Sequence, residues 1–163
     1  MQAQVDILWL DRRVLVRIEQ EASLIYPLET GGVLVGYVGD NGQPVVHEVV
    51  GPGPKALHLE TRFEPDHAWQ CEQLDSLFWN SSGQLVYLGD WHTHPNGSPT
   101  MSGLDRRTMR RIARHAEARI SYPLMLIEGG SPGAWQLAVH QFKPAKWFDL
   151  LSSASALEIQ LFS

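Results

Sequence analysis

The chain of 163 residues predicts an α+β protein: a mixed, mostly antiparallel sheet with about three helices packed on it. Three observations lead there. Apolar residues recur every second position in several short runs and at helical spacing in three longer ones. Stranded and helical segments are interspersed without strict alternation, which argues against a doubly wound parallel sheet. No repeat, low-complexity tract or linker divides the chain, and its length suits one core, so residues 1–163 read as a single domain with its core at about 10–143.

The elements follow in order. Residues 5–10 are a short apolar run that fits a strand, and Asp11 can cap the helix after it. In that helix Val14, Leu15, Ile18, Ala22 and Ile25 recur at helical spacing, and Pro27 stops it. Residues 33–38 and 45–50 read as two strands joined by the turn "GDNGQP", a hairpin. A second helix starts near Pro65 and ends at residues 80–83, with Cys71, Leu74, Leu77 and Phe78 as its apolar stripe. "QLVYLGDWHTHP" is a strand that Pro95 ends, and a third helix covers about 102–119, with Met109, Ile112, Ala113 and Ala116 facing the core. "YPLMLIEGG" and "AWQLAVHQF" are two further strands joined by "GGSPG". The tail, residues 147–163, fits either element type.

The formal charge of −5 gives no general electrostatic reason to bind nucleic acid. Six arginines between 106 and 119 read as the solvated face of the third helix. The single cysteine, Cys71, cannot form an internal disulfide, and on its apolar stripe it reads as buried packing. The N-terminal residues lack the basic-then-apolar order of a signal peptide, and no apolar run is long enough to span a bilayer. A reduced, cytoplasmic protein without a membrane partner is expected.

The chemistry concentrates in "WHTHPNGSPTMSGLDR", residues 91–106. Side chains two apart on a strand share a face, so His92 and His94 project together. Pro95 ends the strand, and a loop of turn-forming residues delivers Ser102 and Asp105 to the start of the third helix. Two imidazoles and one carboxylate are a ligand set that zinc accepts, with a fourth position left for water at a catalytic site. A closed structural site would need a fourth ligand, which Cys71 alone cannot supply as the usual cysteine set. Ser102 and Asp105 also resemble a capping box, which ordinarily carries Glu or Gln at its second position. Both readings can hold at once. Asp90 shares the face of the two histidines one step back and could orient an imidazole. Glu48 lies inside a strand. His47, His58, His67, His115 and His140 lack comparable spacing and read as surface or core histidines.

His92-Thr93-His94-Pro95, the loop 96–101, Ser102 and Asp105 together resemble the JAMM signature of the JAB/MPN metalloproteases, with every signature position filled. The resemblance extends over residues 14–142 and implies the MPN/JAB fold. It implies that His92, His94 and Asp105 bind one catalytic zinc ion with a water, and that Ser102 helps stabilise the tetrahedral intermediate. The family also places a glutamate near the start of a Gly-rich strand; "YPLETGGVLVGY" matches it at Glu29, which would take the proton of the water and pass it to the leaving amine. Gly31 and Gly32 would let that strand run close to a neighbour.

The chain looks most like the bacterial stand-alone JAB proteins. "ETGGVLVGY", "GPGP", "RFEPD" and "YLGDWHTHP" resemble the deconjugating JAB peptidases of CBASS antiphage operons. That implies a deubiquitinase-like isopeptidase or peptidase. It would cleave after the C-terminus of a ubiquitin-like protein, from a conjugate, a precursor or the ubiquitin-transfer-like enzyme carrying it. The insertions that eukaryotic relatives use to grip one chain linkage are missing. Two alternatives stand beside this: a JAB peptidase that trims a sulfur-carrier protein, and a non-catalytic or RadC-like, nucleic-acid-associated metal-binding protein.

Overall fold

A computed structural model describes residues 4–144 and 153–163. The elements run β1 (Ile7–Asp11), α1 (Arg12–Ile25), β2 (Gly31–Val38), β3 (Pro44–Val50), β4 (Leu57–His58), β5 (Phe63–Glu64), α2 (His67–Asn80), β6 (Val86–Pro95), α3 (Gly103–Arg114), β7 (Leu124–Gly130), β8 (Gln136–Lys143), β9 (Ser153–Ala156) and β10 (Glu158–Phe162). Eight strands form one sheet in the order β10-β1-β3-β2-β6-β7-β8-β9, and β4 with β5 makes a separate hairpin. The pairs β2–β3, β2–β6, β7–β8 and β8–β9 are antiparallel, while β1–β10, β1–β3 and β6–β7 are parallel. The predicted α+β class therefore holds.

The sheet curls. Its two outermost strands, β9 and β10, are separated in the chain only by buried Leu157, whose N–H donates to Val139 C=O, while Glu158 N–H donates to Asp6 C=O. The end of the chain thus joins β8 on one side to β1 on the other. Asp11 caps α1, accepting from Arg13 N–H at 2.9 Å. Val14 and Ile18 of that helix pack with Leu8, Leu10, Leu34, Leu88, Trp91 and Leu126 in the main core. Full burial of one such side chain contributes about 2 kcal/mol, so packing rather than intrinsic propensity holds the helix on the sheet. α3 brings Met109 against Met125, Ile127 and Phe142, and α2 covers Val33, Val35 and Val50 with Trp69, Leu74 and Leu77.

Three expectations need correction. Cys71 is exposed, with its Sγ 3.7 Å from His67 Nε2, and Phe78 is also exposed. The inward stripe of α2 is instead Gln70, Leu74 and Leu77; Gln70 is buried because its amide donates to Gly51 C=O at 2.9 Å. A polar residue at the first turn hid the true phase of the helix. The third helix stops at Arg114, followed by a 3-10 turn at Ala116–Ala118 and a left-handed Arg119, so Ala116 is exposed rather than core-facing. In the tail, residues 153–163 contain β9 and β10, and residues 147–152 lie outside the described residues. Among the described residues no helix is long and apolar enough to cross a membrane.

Candidate metal centre

The site lies at the end of β6, where β2 begins beside it and α3 starts across from it. β6 is paired to β2 with Gly31 opposite His92, and to β7 with His92 opposite Ile127 and His94 opposite Gly129. His92 and His94 share one face of the strand, and Thr93 between them points the other way into full burial. The two imidazole Nε2 atoms are 2.9 Å apart. Asp105 reaches both, with Oδ1 3.1 Å from His92 Nε2 and Oδ2 3.5 Å from His94 Nε2. Two ring nitrogens this close need a positive centre between or beside them, either a proton or a metal ion.

The donor set fits a small divalent metal. Tetrahedral zinc with nitrogen and oxygen ligands at about 2.0–2.1 Å spaces those ligands about 3.3 Å apart, and the three separations bracket that value. These are also the three residues among those described whose ligand atoms cluster within 4.8 Å. His94 Nδ1 lies 2.9 Å from Ser98 C=O, which can only accept, so Nδ1 carries a proton; in the neutral ring this leaves Nε2 with the lone pair a metal would need.

The return loop is built to hold Ser98 there. Asn96 adopts a left-handed conformation, its N–H donates to Gly130 C=O at 2.6 Å, and its side chain accepts from Tyr26 Oη at 2.8 Å. The loop then lies directly on β7 at Gly129, where an added Cβ would stand 2.6 Å from Pro99 N and Ser98 C. His140 adds a ring-nitrogen contact to Pro99 C=O at 3.2 Å. At the end of the loop the capping box forms in full: Asp105 N–H donates to Ser102 Oγ at 3.1 Å, and Ser102 N–H donates to Asp105 Oδ2 at 2.7 Å. The cap aims the Asp105 carboxylate at the histidines. Burial opposes its charge, but the histidine hydrogen bonds outweigh burial and hold the carboxyl well below the usual carboxylate range. The same bond to Asp105 raises His94 above the ordinary imidazole value.

Glu29 comes to the same place from the other side. It lines a cleft of about 220 Å³ together with His92, Asp105, Leu104, Phe63 and Arg111. Burial pushes its carboxyl up, His92 and His94 partly counter that, and Asp105 adds to the rise. Asp90 lines the cleft as well. Its hydrogen bond comes from Tyr87 Oη at 2.8 Å rather than from an imidazole, so the orienting contact expected of it is made to His94 by Ser98. Glu48 is engaged elsewhere, in an ion pair with Arg17 at 2.7 Å.

The family model described as prokaryotic homologs of the JAB domain matches residues 11–144. The chain belongs to this family. This JAB protein is 35% identical over 130 residues to a Sinorhizobium fredii protein named probable metalloprotease y4qB, covering 79% of each chain. It is 35% identical over 112 residues to a CD-NTase/cGAS isopeptidase of Enterobacter hormaechei, covering 68% of this chain and 61% of that one. A Vibrio cholerae protein of the same name is 34% identical over 84 residues, 51% of this chain and 53% of that one. The matched part thus spans about half to three fifths of the length of those two isopeptidases. The solution structure of protein DSY2949 from Desulfitobacterium hafniense superposes with a TM-score of 0.68 at 20% identity, covering 96% of this chain and 92% of that one, a likeness of fold. Family and relatives support a JAB peptidase role that uses a metal.

Several site residues carry no signal in the sequence. Thr93 binds the Glu29 segment to the ligand strand: its Oγ accepts from Thr30 N–H at 3.0 Å, and its N–H donates to Thr30 C=O at 2.9 Å. His58 touches the Glu29 carbonyl rather than serving as an isolated surface or core histidine. Period two places Thr93 away from the histidines, which explains its burial but not its partner across the sheet.

Proposed function

We propose that this JAB protein is a zinc-dependent isopeptidase or peptidase that cleaves after the C-terminus of a ubiquitin-like protein, reversing a conjugation or processing a precursor in a CBASS-type antiphage operon. One observation carries the reading. His92 Nε2, His94 Nε2 and the Asp105 carboxylate converge on one point at the edge of a cleft that Glu29 also lines.

In this reading His92, His94 and Asp105 hold one zinc ion, which supplies Lewis acidity and makes water a usable nucleophile near neutral pH. Glu29 takes the proton of the attacking water and hands it to the leaving amine. Its raised carboxyl is the right kind of group, because a proton carrier works best with a pKa near the working pH. The carbonyl carbon gains a bond to the water oxygen, the C–N bond breaks, and the amine departs with the carried proton. Ser102 accepts the capping bond through a lone pair, so its hydroxyl proton remains able to donate to the oxyanion developing on the carbonyl. β6 is paired on both sides, so the extended tail of the substrate would find its strand edge at the β4–β5 hairpin, whose Phe63 lines the cleft.

The similarity to CD-NTase/cGAS isopeptidases supports the substrate class. The test is incubation with ubiquitin-like proteins, each bearing a C-terminal protein fusion, with and without chelator. Cleavage at the fusion junction is expected, lost on chelation and lost in Glu29→Gln at full zinc content. Trimming of one or a few residues from a sulfur carrier alone would replace the substrate named here. Wild-type cleavage by Glu29→Gln would overturn the mechanism.

A further inference from the structure

Glu29 sits neither on the strand that carries His92 and His94 nor on the helix that carries Asp105. It lies in the bend between α1 and β2. A side chain on a connecting segment is placed well only if its backbone is fixed. Here both peptide groups flanking the Glu29 Cα are tied to the β4–β5 hairpin. The Glu29 N–H donates to Leu59 C=O at 2.8 Å, and His58 Nδ1 lies 2.9 Å from the Glu29 carbonyl oxygen. A carbonyl only accepts, so the His58 ring carries its proton on Nδ1 and donates.

The hairpin is itself well defined. Leu57 pairs with Glu64 and His58 with Phe63, and Leu59 N–H donates to Arg62 C=O at 2.8 Å across the turn. The Phe63 ring stacks near His58, with centroids 6.1 Å apart and planes 22° apart. Phe63 also occupies the space beside Gly31, where a Cβ would come within 2.7 Å of its ring. One residue further along, Thr30 is bound to Thr93 of the ligand strand. Glu29 is therefore spanned from one side by the hairpin and from the other by β6.

We propose that His58 is a positioning residue for the proton carrier: its Nδ1–H bond to the Glu29 carbonyl, with the Leu59 carbonyl on the preceding amide, sets where the Glu29 carboxylate stands over the metal ligands. The proposal rests on reading Glu29 as the base. His58 touches neither substrate nor metal ligand in this role. Arg62, Phe63 and Pro65 of the same segment line the cleft, so the unit that bounds the substrate space also holds the base.

Two substitutions separate the hydrogen bond from the packing. His58→Phe keeps a ring to stack on Phe63 and lacks the donor. His58→Asn keeps a donor near the Nδ1 position and lacks the ring. Amide hydrogen exchange of Glu29, read by NMR with the amides of α1 and β6 as internal references for folding, reports the Leu59 bond of the clamp, which loosens when the His58 bond on the adjoining carbonyl is lost. Turnover of the fastest-cleaved ubiquitin-like fusion reports its consequence. In His58→Phe the Glu29 amide is expected to exchange about tenfold faster with the reference amides unchanged, and kcat to fall about tenfold at unchanged KM. His58→Asn is expected to recover most of both. Unchanged Glu29 exchange and kcat in His58→Phe overturn the proposal, and so does failure of His58→Asn to recover either. Glu29→Gln in parallel keeps the two readings apart. If it cleaves at the wild-type rate, Glu29 is not the base, and the exchange data still decide whether His58 holds its backbone.

Discussion

Glu128 lies in β7, opposite Thr93 on one neighbouring strand and Leu137 on the other, and it is fully buried. Neither of its carboxyl oxygens has a hydrogen-bond partner among the described residues. Burial, with the charge of Glu19 adding to it, pushes the carboxyl from 4.5 up to about 8. At neutral pH the folded protein therefore carries this group protonated, while the unfolded chain has released the proton. Below about pH 4.5 both states hold it, and the group contributes no pH dependence. Between there and about 8 the unfolded state binds one proton fewer, so stability falls by about 1.4 kcal/mol for each unit the pH rises. Between pH 5.5 and 7.5 the loss amounts to about 2.5 kcal/mol, a large part of the stability of an ordinary domain. Glu128→Gln removes the titration while keeping shape and polarity. Urea unfolding of wild type and variant, at several pH values and in the same metal state, isolates the effect as a difference of slopes. A constant cost of burying the amide cancels in that comparison. The wild type is expected to lose stability relative to the variant as pH rises. Parallel stability curves would refute the buried, protonated state and the desolvation argument behind it.

Other outcomes follow from contacts in and around the site. Thr93→Val keeps the side-chain shape but leaves the buried Thr30 N–H without its acceptor, so stability should fall by about 1–3 kcal/mol in denaturant unfolding, with hydrolysis reduced; an unchanged midpoint would remove Thr93 from the account. Gly129→Ala places a Cβ against the backbone of the return loop and should push Ser98 C=O away from His94, weakening metal binding roughly tenfold or more, read with added zinc in competition with a chromophoric chelator. Asp105→Glu should keep the helix cap and the charge while moving the carboxylate past both imidazoles, so helix content by circular dichroism stays and affinity for an added divalent metal drops. Cys71→Ser should leave the melting temperature within a few degrees of wild type, because the thiol is exposed.

What could be read along the chain was whatever depends on nearest neighbours in sequence. The spacing of His92 and His94, the caps at Asp11 and Ser102, the hairpin of β2 and β3 and the Gly-rich start of β2 are all local patterns, and each appears in the structure. What escaped depends on partners far away. Gln70 is inside because a carbonyl at Gly51 awaits it, which reversed the reading of Cys71. β10 is a short strand whose identity rests on β1 at the opposite end of the chain. Nothing in the residues around Glu128 announces a buried acid, because its neighbours across the sheet are Thr93 and Leu137. His58 illustrates the same limit: without register it is one more histidine, and with register it is a donor to the segment carrying Glu29.

Ser102 and Asp105 form the helix cap, and the cap leaves the Asp105 carboxylate turned toward the two histidines. The cap needs an acceptor for the Ser102 N–H, and Asp105 Oδ2 supplies it while Oδ1 remains directed at His92. Asp105, one methylene shorter than the usual Glu, closes the box and keeps its carboxylate within reach of both imidazoles. The position of the Asp105 carboxylate is therefore set by folding of α3 itself, as the His94 ring is set by Ser98 and the strand between the histidines is tied to Thr30 through Thr93. Each of these contacts forms between protein groups alone. Groups assembled in this way are held in place without an ion, so a metal entering there would meet side chains already gathered within 4.8 Å of one another, and little of its binding energy would go into ordering them.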